Sequence, residues 1–136
     1  MKAFAFLIAA LLLASQALAD VAVIVHPGNN NVINKDEVQR IFLGKKKNFD
    51  DGSSATPINL TDKDAARAEF ESKVLDKTAA ELRSYWSKLV FTGKGTPPAE
   101  MATTDELLAR IATDPSAIGY IDAGAVTDAV KVAAKF

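Results

Sequence analysis

The sequence predicts an α/β domain of the doubly wound class, a mixed sheet with helices on both faces. Three observations predict it. Short apolar runs of strand length stand at 21–25, 56–60 and 118–121. Between them lie stretches whose apolar residues repeat at helical spacing. Those stretches open on a polar residue with an acid three positions later: Asn34 and Glu37, Thr61 and Asp64, Thr78 and Glu81, Thr103 and Glu106. Strands alternating with helices in this way build a parallel or mixed sheet covered on two sides.

Ahead of the first run, Lys2 supplies a positive start, 4–13 is apolar and uncharged, and Ala17-Leu18-Ala19 offers the small residues a signal peptidase accepts. This predicts a signal peptide over 1–19, cleaved after Ala19, and one domain over 20–136 that works outside the cytoplasm. The apolar stretch is shorter than the roughly 20 residues that span a bilayer, so no membrane insertion is expected after cleavage. Removing Lys2 from the 16 Lys and Arg leaves 15 against 17 Asp and Glu, a net charge of −2, which argues against nucleic acid as a partner. With no cysteine, a lipid anchor on a mature N-terminal cysteine is excluded. In an oxidising compartment stability must then come from packing rather than cross-links. A bacterial periplasm fits both features.

Taken in order, Val21 to Val25 is a continuous β-branched and small run that suits a strand covered on both faces. His26-Pro27-Gly28-Asn29-Asn30-Asn31 breaks it with turn-forming residues. Asn34 caps a helix carrying Val38, Ile41 and Phe42, which Gly44 stops, and Lys45 to Lys47 form its solvated positive end. Asp51-Gly52 marks a turn before a second strand over 56–60. Thr61 and Asp64 have the spacing of a cap for a helix whose Ala65, Ala66, Phe70 and Val74 share one face. Thr78 and Glu81 open a third helix with an apolar stripe of Leu82, Tyr85, Trp86, Leu89 and Val90, which reads as core. A Gly- and Pro-rich connector over 92–98 follows. A fourth helix starts at Thr103 and ends at Asp114-Pro115, and a buried strand covers 118–121. The segment 126–132 suits either a helix or a last strand.

Ligands of doubly wound sheets lie beyond the carboxyl ends of the strands, which draws attention to His26 to Asn31, Thr61 to Arg67, and Asp122. Thr61, Arg67, Asn29 and Asn30 are therefore the candidate binding residues for a small anion. First-turn amides lack partners inside a helix, and a guanidinium offers a forked donor. Asp62 and Asp64 oppose this, because like charges about 4 Å apart repel by roughly 1 kcal/mol even in water-like dielectric. His26 is the only histidine, and without cysteine no common transition-metal site assembles, so neither metal nor cofactor is expected. No nucleophile elbow precedes a serine, and nothing points to an enzyme. Asp50, Asp51, Asp62 and Asp64 lack the pattern of a calcium loop. Gly93-Lys94-Gly95 reads as a connector, since no strand leads into it.

Four segments carry a family resemblance: Val23-Ile24-Val25-His26-Pro27-Gly28-Asn29, Ile41-Phe42-Leu43-Gly44-Lys45, Pro57-Ile58-Asn59-Leu60 and Ala117-Ile118-Gly119-Tyr120-Ile121. In order and spacing they resemble signatures of phosphate ABC transporter substrate-binding proteins. The resemblance implies a periplasmic-binding-protein-like fold, here the portion corresponding to one lobe. It places the family's Ser-Gly-Thr phosphate motif on Asp64-Ala65-Ala66, with Arg67 and Phe70 matching the arginine and phenylalanine that follow. Two hydroxyl donors are thus alanine here and a carboxylate. The expectation is a non-enzymatic periplasmic solute-binding protein for a small anion such as phosphate, serving an ABC permease. The alternative is a lobe that has lost its solute and acts as a protein-interaction module, for instance by self-association.

Overall fold

The computed structural model describes residues 20–136, so the expected signal peptide lies outside the described residues. Strand β1 (Val21–Val25) is buried at every position, as its unbroken apolar run demands, because it pairs on both edges. Helix α1 (Lys35–Phe42) starts where the Asn34 side chain accepts the Glu37 amide and turns Val38, Ile41 and Phe42 inward. After the Asp51-Gly52 turn come β2 (Thr56–Leu60) and α2 (Ala65–Phe70). A π-helical turn, Glu71–Leu75, continues α2 and ends at Asp76, whose φ of 53° lies in the left-handed region.

Helix α3 (Ala79–Phe91) opens on a complete capping box between Thr78 and Glu81. A short strand, β3 (Ala99–Met101), follows the connector at a place where no strand is expected from the sequence. Helix α4 (Thr104–Thr113) leads to β4 (Ala117–Asp122), and a 3-10 turn, Ala123–Ala125, precedes β5 (Lys131–Lys135). The ambiguous segment 126–132 is thus mostly a loop that feeds a last strand.

The five strands lie in the order β3-β2-β4-β1-β5. β2 is parallel to β3 and to β4, whereas β1 is antiparallel to β4 and to β5. The antiparallel β1 has one consequence for function. Val25 pairs with Ile118 and Val21 with Asp122, while Thr56 pairs with Ala117, so the loop after β1 emerges at the opposite end of the sheet from the loop after β2.

Successive residues of a strand face opposite ways, and Gly119 and Tyr120 use that alternation to build the two layers. At Gly119 a Cβ would stand 3.0 Å from Leu107 Cδ1 of α4, so glycine lets that helix pack close where a larger residue would make the leucine shift. On the other face the Tyr120 ring stacks on Phe70 at 3.9 Å, and Phe70 meets Phe42 edge-on at 4.7 Å. Helices therefore cover both faces, as expected.

The apolar stripe of α3 departs from its expected core role. Leu82 is buried, Tyr85, Trp86 and Leu89 are half-buried, and Val90 is 52% exposed; Phe91, next to the stripe, is 92% exposed. This helix lies along the rim rather than on the sheet. The Tyr85 hydroxyl donates to Leu43 O at 2.6 Å, and the Trp86 ring covers Gly44, whose φ of 73° and lack of a side chain admit it. Lys46 likewise is not freely solvated: its ammonium meets Asp50 at 2.6 Å and Glu37 at 3.7 Å.

Candidate functional site

Beyond the carboxyl end of β2 lies an open cleft of about 760 Å³. One wall is polar and includes Asn59, Asp62, Arg67, Glu71 and Glu100. Most of the remaining lining belongs to α3 and the connector: Trp86, Val90, Phe91, Pro97 and Pro98 are apolar, while Arg83 and Ser87 of α3 add a second cation and a hydroxyl.

Arg67 is the centre of the polar wall, and α2 places it there one turn past Asp64. Its Nη1 donates to Leu60 O at 3.1 Å and to Glu100 Oε1 at 2.6 Å, and its Nε lies 3.6 Å from Glu71 Oε2. Burial pulls the guanidinium down, yet the hydrogen bond that it donates to Glu100 and the charge of Glu71 outweigh it and raise Arg67 above its ordinary value. Two carboxylates thus share one half-buried cation. Neither is Asp62 or Asp64, the acids that the sequence sets against an anion. Asp64 is the N-cap of α2 and accepts the Ala66 amide at 2.9 Å, while Asp62 is exposed.

Thr61 does not cap α2. Its carbonyl accepts the Asp64 amide in the turn between β2 and the helix, which brings it near Arg67 without ligating it. Asn29 and Asn30 are a different matter. Because β1 runs antiparallel, they sit at the other end of the sheet, so the structure does not bring them together with Thr61 and Arg67. Asn29 is buried in a turn of its own: its side-chain oxygen accepts Asn31 N at 3.0 Å, and its carbonyl accepts Lys131 Nζ at 3.1 Å. Asn30 is exposed. His26 Nδ1 accepts the Gly28 amide at 3.0 Å, a loop role. Among the described residues no cluster of His, Cys, Asp and Glu could hold a metal ion, and no helix is long and apolar enough to cross a membrane.

Beneath the cleft, Tyr120 joins β4 to β2. Its hydroxyl donates to Asn59 Oδ1 at 2.7 Å and accepts the Leu60 amide at 3.2 Å. Burial pushes this phenol well above its ordinary range. The folded state therefore keeps the proton at pH values where an unfolded tyrosine, near 10, loses it. Stability from this group is complete below pH 10 and falls as pH rises above it, by up to about 1.4 kcal/mol per pH unit. Urea unfolding at pH 9 and 11 is expected to show a steeper loss for the wild type than for Tyr120→Phe. Equal slopes would contradict the assignment.

Asn59, Glu71, Arg83 and Glu100 line the cleft and Tyr120 lies beneath it, and sequence reasoning gave none of them a place in the site. Asn59 and Tyr120 had a signal, their places in the strands expected at 56–60 and 118–121, whereas Glu100 approaches Arg67 across 33 residues of chain.

No protein-family model and no curated protein matches the chain. Solved structures do. An ABC-type phosphate transport receptor from Vibrio cholerae superposes with a TM-score of 0.65 at 15% identity, over 84% of this chain and 46% of that one. A putative phosphate ABC transporter substrate-binding protein from Clostridium perfringens, solved with bound phosphate, gives 0.65 at 19%, over 84% and 44%. PstS from Borrelia burgdorferi gives 0.56 at 17%, over 78% and 42%. The fold is that of a periplasmic-binding-protein lobe. The chain spans under half the length of each of these receptors.

Proposed function

We propose that the chain is a non-enzymatic solute-binding module of the phosphate-receptor type, working in the periplasm after signal cleavage and presenting a small oxyanion to an ABC permease. The observation that carries this reading is Arg67. Its guanidinium stands in the wall of a ligand-sized cleft at the carboxyl end of β2, in a fold that resembles part of solved phosphate receptors. The surrounding chemistry sets the affinity low. Ala65 and Ala66 offer no hydroxyl, the Ala66 amide is already taken by Asp64, and Glu71 and Glu100 compete for the cation. Phosphate at ten times its dissociation constant stabilises by about 1.4 kcal/mol. A rise of a few degrees in Tm at tens of millimolar phosphate is expected, with none in Arg67→Ala. An unchanged Tm in the wild type would end the phosphate reading.

The second reading, a protein-interaction module, is favoured by the exposed Val90 and Phe91 beside Trp86 at the rim of the same cleft. Soluble monomers seldom present large contiguous apolar patches. Sedimentation of the mature protein separates the two, since this reading requires self-association or a partner recovered by periplasmic cross-linking.

A further inference from the structure

The shortest ionic contact on Arg67 is made by its most exposed neighbour. Glu71 is fixed in the π-helical turn, with a side chain 10% exposed, and lies 3.6 Å from Nε. Glu100 is 49% exposed, stands on the three-residue edge strand β3, and reaches Nη1 at 2.6 Å. Nothing but this contact is made by its carboxylate among the described hydrogen bonds and ion pairs. Strand β3 is held to β2 through backbone pairing of Ile58, Asn59 and Leu60 with Ala99, Glu100 and Met101. The carboxylate is therefore free to leave the guanidinium without unravelling the sheet.

We propose that Glu100 is a resident anion on Arg67, an internal competitor that determines which solutes the cleft accepts. This rests on the reading of Arg67 as the anion-binding residue. A tethered carboxylate meets its partner at an effective concentration in the millimolar range or above, so an incoming anion must outcompete it. The anion also has to enter beside the charge that it displaces. A divalent oxyanion such as hydrogen phosphate holds the guanidinium more strongly than a monovalent carboxylate does, but it suffers twice the repulsion from Glu100 and Glu71. The occupied cation thus rejects dilute or weakly charged solutes and admits a doubly charged one only at high concentration.

The test is calorimetric titration of inorganic phosphate into the wild type, Glu100→Gln, Arg67→Ala/Glu100→Gln and, as a charge control away from the cleft, Asp128→Asn. Removing one negative charge from contact distance is expected to tighten phosphate binding by about tenfold or more in Glu100→Gln. The double variant loses the gain, and Asp128→Asn binds as the wild type does. A merely structural role would lower the Tm of Glu100→Gln and leave its phosphate affinity within twofold of the wild type, and that result overturns the proposal while the solute-binding reading stands. Phosphate binding in neither wild type nor Glu100→Gln removes both. A gain matched by Asp128→Asn also overturns it, because net charge alone would then account for the change.

Discussion

Phe70→Ala is expected to destabilise the domain by about 3–5 kcal/mol, the range for emptying a buried aromatic position. Phe70 is fully buried, stacked on Tyr120 at an interplanar angle of 5° and set edge-on against Phe42. Its two ring neighbours are held in place, Tyr120 through its hydroxyl to Asn59 and the Leu60 amide, and Phe42 by α1. For a domain of this size the loss corresponds to a fall in Tm of roughly 10–20 °C. Chemical denaturation of the variant measures it directly. Phe70→Leu keeps most of the volume and is expected to lose far less. A loss below about 1 kcal/mol in the alanine variant would mean that the aromatic layer contributes little.

Arg67→Ala is the second large effect, and its cause is electrostatic. The substitution strips Glu71 of its cation while the carboxylate stays mostly buried, and it removes the donor from Leu60 O. Breaking a fully buried pair costs about 3–5 kcal/mol. Here the 3.6 Å separation and the partial exposure of both groups reduce the expectation to roughly 1–3 kcal/mol. Glu71→Gln in the same background should restore much of the loss, since a neutral amide needs no counter-ion. Additive losses across that double-mutant cycle would show that the pair is not coupled. Glu100 contributes little to this balance because water reaches it once Arg67 is gone.

Much of the fold was legible because it was written locally. The runs at Val21–Val25 and Thr56–Leu60, and the caps Asn34, Thr78 and Thr103, all act within a few residues of themselves, and each forms the predicted element. Two local features went unread. β3 is three residues long, too short for a periodic pattern, and it exists because β2 offers it a parallel edge. The stripe on α3 repeats at helical spacing, but periodicity reports an apolar face without reporting what covers it, and Val90 at its end remains in water.

Of the four candidate site residues, the structure places Arg67 in the cleft lining, with Thr61 at the same junction but outside that lining. Arg67 and Thr61 follow the second strand and share the junction that the doubly wound rule selects. Asn29 and Asn30 follow the first strand, and the same rule included them on the assumption that β1 runs with its neighbours. Strand direction is not encoded in the strand's own residues, since an apolar run buried on both faces serves either polarity equally well.

The amino-acid sequence alone determined that α and β elements alternate and where most of them start and stop. The tertiary structure decided which end of the sheet each loop occupies and which acids neutralise Arg67. The physical reason is range. Caps and turns are settled by hydrogen bonds over two to four residues, whereas the antiparallel seating of β1 and the reach of Glu100 to Arg67 depend on contacts between segments far apart along the chain.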